Sequence, residues 1–512
     1  MDTSIVVSAV ASELVSRFIS FLSKQYSSST CLKQNLEELQ RLLLRAHTIV
    51  EEAEGRYVSN SGMLAQLRTL TEAMFRGYDV LDTCMPLEQL GDEAEEEVSG
   101  FLHTWPPFAV ITRRRTDDLA KSGALSLRPL KHHQVESTVR NLETTVASMA
   151  EFVVLLTGCE RRMSRSPYSS YLYIDNFMFG RQVEKQQVII ILTTEEEDDP
   201  SRPTGAAITV LPIIGGCRVG KKTLVGNICS DDRIRSCYPC ILHFSGDEIQ
   251  RIDYEEKFCR HVRTLVTVEF ASDVADEEWL KFQSLLVAST GPGSKVIIIS
   301  RLEKLARFGT VSPVRIGSLS REEYRYLFKV LAFGSADPAD HPRLALLGRE
   351  LATVFQGSLV MLNVYASVLR SSLSVRLWTR VLELFRAMAR RNLAVFGEHP
   401  TTLLERDGSA VDITGFSPMS GAASSFRLVL LTTTTAAKGG GASDDGAEVL
   451  PTMSFGDIIA GAEILPDRFR LVWESRLPPY TVICANCAAE KKPQHPVSVS
   501  PRRKNKRQKL CM

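Results

Sequence analysis

The first third of the chain places an apolar residue at every third or fourth position, which is the spacing of amphipathic helices. The stretches that show it are 4–22, 32–50, 62–84 and 135–156. We predict that they form a four-helix bundle within residues 1–160. Residues 91–130 are predicted as a flexible insertion, because they exceed the ordinary length of a connection between bundle helices.

Short apolar runs that alternate with helical stretches follow the bundle. The strand candidates are 188–192, 208–214, 241–244, 266–270 and 295–300. Strands separated by helices predict a parallel sheet with helices on both faces. A helical pattern then extends to about residue 391. The fold class we predict is therefore multidomain α and α/β, with an α/β domain at 174–315 and a helical subdomain at 316–395.

The composition changes beyond residue 395. Runs of threonine, glycine and serine predict a partly disordered, low-complexity region at 396–512. The basic cluster at 501–509 is typical of a nuclear import signal and equally of a solvated charged tail.

Charge and apolar content narrow the classes of partner. The chain has 512 residues and a net charge of +1, so its overall charge does not favour binding to nucleic acid. No stretch approaches the roughly 18 apolar residues of a membrane span. Its 11 cysteines are scattered, as in a protein with reduced thiols. We expect a cytoplasmic protein, or a nuclear one if the basic cluster acts as a nuclear import signal.

Residues 215–222 fit the phosphate-binding pattern G-x-x-x-x-G-K-[ST] except at the last position. A strand precedes them and a helix follows, which is the required order. Gly215 and Gly220 let the backbone curl around phosphates, and Lys221 brings a charge to the β and γ oxygens. We predict a nucleotide-binding loop that also includes Gly216, Val219, Thr223 and Leu224. The alternative is a glycine turn that serves packing alone.

Position 222 carries a lysine where the pattern has a hydroxyl that holds Mg²⁺. An ammonium group cannot ligate a metal ion. We therefore expect the nucleotide to be bound without strong hydrolysis.

Several motifs in order resemble those of plant intracellular immune receptors of the coiled-coil NB-ARC class. They are Phe179-Gly180-Arg181, the loop itself, Gly293 to Arg301, Leu319 to Phe333, and the acidic Tyr78-Asp79-Val80-Leu81-Asp82 in the bundle. The resemblance covers about residues 1–390. It implies an Rx-type N-terminal domain, an NB-ARC domain and an ARC1-like helical subdomain. It also implies that residues 179–181 pack near the adenine and that Arg301 reads the phosphate state.

The chain departs from the family pattern at the metal-side residues. The family's second nucleotide motif has two aspartates after a strand, and here Ser272 stands at the first while Asp273 remains. Lys222 and Ser272 thus replace both expected Mg²⁺ ligands, and no other metal site is predicted. Our hypothesis is that Lys222 pairs with Asp273 or with a β-phosphate. Lys222→Thr alone is then not expected to restore turnover.

Departures also occur further along the chain. The family's Gly-Leu-Pro-Leu-Ala motif appears at 357–361 without its proline, which leaves Leu359 as the candidate adenine contact. No Met-His-Asp motif and no leucine-rich repeat follow. A winged-helix switch and a recognition domain are therefore expected to be absent.

The leading functional interpretation is an ADP- or ATP-binding switch or scaffold in plant defence, with protein partners bound through the helical bundle. Self-association and pairing with full-length immune receptors are the expected modes. One alternative is a slow ATPase that uses Lys221 for the phosphates, Asp273 for the water and Arg301 as a sensor. Another is an adaptor whose loop binds no nucleotide.

Overall fold

The computed structural model describes part of the chain in two compact units. The described residues are 30–90, 123–161, 179–194, 208–249, 261–404, 409–414, 426–434, 450–454, 458, 468–474 and 482–491. The first unit comprises Met1–Ala387, Thr435–Ala442 and Trp473–Ile483. The second comprises Met388–Thr434, Ser443–Val472 and Cys484–Met512.

A helical bundle opens the first unit. Its helices are α1 (Thr30–Glu54), α2 (Ser61–Leu90), α3 (Gly123–Ala147) and α4 (Ala150–Thr157). They form because leucines at helical spacing face a common core, where Leu36, Leu39, Leu70 and Leu142 are almost completely buried. The predicted helices at 32–50 and 62–84 are confirmed.

Two details of the bundle differ from the predictions. The predicted helix at 135–156 is split into α3 and α4 by a turn at Ser148 and Met149. Helix α3 already begins at Gly123, so residues 123–130 are helical and do not belong to an insertion. The predicted helix at 4–22 and the insertion from 91 to 122 lie outside the described residues.

A five-stranded parallel sheet follows, in the order β2-β3-β4-β1-β5. Its elements are α5 (Gln182–Thr193), β1 (Thr209–Gly215), α6 (Lys221–Cys229), α7 (Asp232–Cys237), β2 (Cys240–Ser245), α8 (Gly246–Ile249), β3 (Thr264–Phe270), α9 (Asp276–Ser289), β4 (Lys295–Ser300) and β5 (Val314–Ile316). Separate apolar clusters cover its two faces. The predicted fold class of a P-loop type sheet behind a helical bundle is confirmed.

Helices complete the first unit. They are α10 (Arg321–Phe333), α11 (Pro342–Val354), α12 (Leu359–Ser371) and α13 (Val375–Phe396), whose last turns belong to the second unit. The side chain of Ser320 caps α10 by accepting from the Glu323 amide, and the Glu323 side chain caps the Ser320 amide in return. This reciprocal pair fixes the start of α10.

The strand predicted at 188–192 is wrong, because these residues lie within helix α5. The run of isoleucines has a high strand propensity, but Val188, Ile189 and Leu192 are buried at the spacing of one helix face. Packing on the sheet therefore overrides the local preference. Strand β5 was not predicted, since three residues are too few to show a period.

The second unit contains a sheet where a partly disordered tail was predicted. After α14 (Pro400–Leu404), the strands β6 (Ala410–Asp412), β7 (Phe426–Thr434), β8 (Thr452–Ser454), β9 (Arg468–Glu474) and β10 (Val482–Lys491) pair in the order β6-β7-β10-β9-β8. In β9 the buried Phe469 and Leu471 alternate with arginines, which is the period of a strand with one buried face. The basic cluster at 501–509 lies outside the described residues.

No helix in the described part of the chain combines the length and the apolar character that a membrane crossing requires.

The acidic motif of the bundle ties α2 to the helical subdomain. Asp79 accepts a hydrogen bond from Arg325 Nη1 at 3.0 Å and one from Arg349 Nη2 at 3.4 Å, and Asp82 pairs with Lys329. The Arg325 side chain is only 9% exposed. A buried guanidinium group depends on its counter-charge, because water cannot replace it.

We expect Asp79→Ala to lower the free energy of unfolding by about 3 kcal/mol, since it leaves the Arg325 charge buried without its partner. The matched control is Glu136→Ala, which removes an acidic partner from the exposed Arg140 on α3 and is expected to cost less than about 1 kcal/mol. Urea denaturation of both variants measures the difference. Equal losses would show that the Asp79 contacts do not hold the two helical regions together.

Candidate functional site

The glycine loop connects the carboxyl end of β1 to helix α6. Gly215 ends the strand, and a Cβ atom on it would lie 2.2 Å from the carbonyl oxygen of Ile316 in β5. Gly220 has a φ of +94° and is the N-cap of α6. A residue with a side chain would be strained at this φ. The two glycines of the pattern are therefore required by the close approach and by the turn.

Lys221 begins α6 and folds back over the loop. Its ammonium donates to the carbonyl oxygens of Gly215 at 2.9 Å and Gly216 at 2.6 Å. Burial lowers the pKa of Lys221; the neighbouring Cys217 and Glu269 oppose this shift, and the charges of Lys222 and Arg301 add to it. The ammonium thus lies at the centre of the loop, beside the amide groups at the start of a helix. This combination favours an anion.

The other predicted loop residues support this conformation. A Cβ atom on Gly216 would lie at an ordinary 3.5 Å from Val219. Leu224 is fully buried, and its amide donates to the Gly220 carbonyl at 2.9 Å. Thr223 is half-buried in the first turn of α6. Leu224 therefore anchors the helix in the core, while the loop remains at the sheet edge.

Arg181 connects the loop by hydrogen bonds to the residue that follows β5. Its guanidinium donates to the carbonyl oxygens of Val219, at 3.3 Å, and of Gly317. The residue is buried, and this burial lowers its pKa. Gly180 before it has a φ of +66°, which suits glycine. The predicted motif at 179–181 is thus joined to the loop through its arginine.

Phe179 packs among aromatic rings of two helices. Its ring packs against Phe75 of α2 at 5.2 Å and stacks with Tyr326 of α10 at 6.0 Å between centroids. The residue therefore links the bundle to the helical subdomain, two positions before the arginine that reaches the loop.

Lys222 forms an ion pair with Glu269, with 2.7 Å between Nζ and Oε2. Glu269 lies one residue before the end of β3. The predicted pairing of Lys222 with Asp273 is therefore wrong. Sequence reasoning missed Glu269 because it searched for aspartates after the strand. The available signal was a carboxylate inside the apolar run from Val266 to Phe270.

Asp273, the catalytic residue predicted for the slow ATPase, forms ion pairs with two other residues. Its carboxylate pairs with Lys304 at 2.8 Å and with Arg307 at 3.0 Å. The hydrogen bond from Lys304, followed by that from Arg307, lowers the pKa of Asp273. Ser272 beside it is exposed. A carboxylate held by two cations is a weak base, so this arrangement does not favour activation of a water molecule.

The last two predicted residues lie in different parts of the first unit. Arg301 directly follows β4 and is exposed at the edge of the sheet that carries the loop. Leu359 begins helix α12, where Ser358 caps the helix and accepts a hydrogen bond from the hydroxyl of Tyr324 at 2.8 Å. The residue before Leu359 is thus hydrogen-bonded to α10.

The close approach at Gly215 gives a direct test. We expect Gly215→Ala to lower the free energy of unfolding by about 1–3 kcal/mol, because the new methyl group meets the backbone of β5 and forces it to move. The control is Gly317→Ala, at the residue directly after β5, where no atom lies within 4 Å of the added Cβ. Thermal unfolding of both variants measures the difference. An unchanged midpoint for Gly215→Ala would contradict the described strand contact.

Known proteins resemble this chain in its N-terminal region and over most of its length. Residues 10–103 match the family described as the Rx N-terminal domain. The chain is 21% identical to disease resistance protein RGA4 of Solanum bulbocastanum in an alignment of length 399, which covers 72% of this chain and 37% of the relative. It is 20% identical to disease resistance protein RGA2 of the same species in an alignment of length 400, which covers 72% of this chain and 38% of the relative.

The chain therefore spans less than two fifths of the length of these relatives. The match to the Rx N-terminal domain includes α1 and α2 of the bundle, and the order of bundle and parallel sheet is the one that the sequence motifs imply. The chain is thus similar to plant disease resistance proteins of Solanum bulbocastanum, and its residues 10–103 match the Rx N-terminal domain.

Proposed function

We propose that the chain is a signalling switch or scaffold of plant defence that binds ADP or ATP in the loop 215–221 and hydrolyses little. The observation that carries this proposal is the Lys221 ammonium, which lies over the loop carbonyls at the start of α6. A positive charge beside free helix amides is a site for phosphate oxygens. The relatedness to disease resistance proteins supports the role in defence.

The segment 179–186 supports a switch, because it contacts both the loop and the bundle. Arg181 donates to the Val219 carbonyl of the loop. A few residues later, Glu184 pairs with Arg68 of α2 at 2.9 Å, and Gln186 donates to the backbone carbonyl of Arg56. A shift of the loop on nucleotide binding would therefore move Glu184 and Gln186, which contact the bundle.

Weak hydrolysis follows from the positions of two carboxylates. Glu269 is paired with Lys222, and Asp273 with Lys304 and Arg307. Neither is free to orient a water molecule. The slow ATPase is thus the less favoured alternative. The adaptor with a loop that binds no nucleotide is the second alternative.

We expect the purified full chain to contain ADP or ATP in near-equimolar amount, released on denaturation and identified by chromatography. Lys221→Ala should lose at least about tenfold in nucleotide affinity, since a charged hydrogen bond to phosphate contributes more than about 1.4 kcal/mol. Lys281→Ala, which removes an exposed lysine from α9, is the matched control and should bind normally.

Three results would contradict parts of this proposal. A wild-type chain that contains no nucleotide and binds none when it is added would favour the adaptor. Phosphate release from ATP that Lys221→Ala abolishes would favour the slow ATPase. Equal nucleotide affinity in Lys221→Ala and Lys281→Ala would place the nucleotide outside the loop.

A further inference from the structure

Lys222 and Glu269 occupy the two positions that hold magnesium in a P-loop site. In such sites a hydroxyl in the first turn of the helix and a carboxylate at the end of a neighbouring strand hold the ion. Here the residue in the first turn of α6 is Lys222, and the carboxylate near the end of β3 belongs to Glu269. Their charged atoms are 2.7 Å apart.

These residues do not fit a magnesium ion. Mg²⁺ requires oxygen ligands in a near-octahedral arrangement. The ammonium of Lys222 offers three donors and no acceptor, and it already occupies one oxygen of Glu269. A divalent cation would also have to approach a positive charge at contact distance.

The ion pair is accessible. The side chain of Lys222 is 42% exposed and that of Glu269 is 43% exposed. Exposed pairs contribute about 0–1 kcal/mol, and the ammonium has further donors, so it can also pair with an incoming phosphate while it keeps its contact with Glu269. Lys222 can therefore supply a positive charge to a phosphate, in the place where a metal would do so.

We propose that the Lys222–Glu269 ion pair replaces the metal, so that the loop takes a nucleoside diphosphate without magnesium. Glu269 is then the carboxylate at the metal position, and its ion pair with Lys222 prevents it from binding a metal ion. This inference rests on the proposed nucleotide binding. It differs from the expectation based on sequence, in which Ser272 had replaced that carboxylate and a change at Lys222 alone could not restore a metal site.

Charge also bears on which nucleotide is preferred. The ion pair has a net charge of zero, whereas a divalent ion with one carboxylate has a net charge of +1. The third phosphate of ATP is therefore attracted less strongly here than in a metal site. It also brings additional negative charge close to the Glu269 carboxylate. ADP should bind at least as tightly as ATP.

Isothermal titration of the full chain with ADP, in excess magnesium and in excess EDTA, tests the inference. For the wild type the two dissociation constants should agree within about threefold. Lys222→Thr introduces a hydroxyl and frees the Glu269 carboxylate. Together these two groups restore both types of metal ligand. Its affinity for ADP should become at least about tenfold tighter in magnesium than in EDTA.

Two further variants separate the causes. Lys222→Arg keeps the positive charge and should remain independent of magnesium. Glu269→Gln added to Lys222→Thr removes the carboxylate and should abolish the acquired dependence. A thermal unfolding midpoint for each variant shows that it is folded under the titration conditions.

The outcomes distinguish this inference from the proposed function. A wild type that binds ADP tightly only with magnesium would overturn the inference and leave nucleotide binding intact. A Lys222→Thr variant that binds ADP equally in both buffers would overturn the assignment of Glu269. A wild type that binds ADP in neither buffer would overturn the proposed function itself.

Discussion

The close contact between Gly215 and β5 is the constraint from which the site is built. The strand that leads into the loop lies between β4 and β5, and at its last residue the backbone of Ile316 comes so near that a side chain cannot fit. Glycine at this position lets the loop begin at the sheet edge, with Lys221 bent over it. The carbonyl after Ile316 then accepts from Arg181. This one close backbone contact therefore fixes the positions of β1, the loop and the start of α5.

The second feature of the site is the balance of charge around the loop. Lys221 is held by carbonyl groups, whereas Lys222 one position later is held by a carboxylate. The two lysines are therefore not equivalent, although they are adjacent in sequence. The first is a charge within the loop, and the second neutralises Glu269. This difference explains how a P-loop can lose its metal-binding hydroxyl and keep an accessible positive charge for an anion.

The sequence predicted the elements whose signal is long and periodic. The bundle helices and four of the sheet strands were predicted because their buried faces recur over many residues. Helix α5 was misread because Val188 to Leu192 is apolar at nearly every position, so that the strand and helix periods cannot be told apart. The strands of the second unit were missed because polar low-complexity segments separate them. In each case the decisive contact is made by residues distant in sequence.

The same limit applies to the site. The loop, its glycines and Lys221 were predictable, because a local turn and a helix start require those residue types. The partner of Lys222 was not, because β3 lies more than forty residues away and the pairing depends on the order of strands in the sheet. Phe179 likewise meets the bundle through packing that a local motif does not encode.

In the proposed switch, a nucleotide bound at the loop is coupled to the bundle through residues 179–186. Hydrogen exchange of the full chain, measured by mass spectrometry with and without ADP, reports on both regions at once. We expect slower exchange in the loop and in the first turn of α6, together with a change in the segment 179–186 and in α2 around Arg68 and Phe75. Unchanged exchange in the loop would contradict nucleotide binding there, and a change confined to the loop would contradict the coupling.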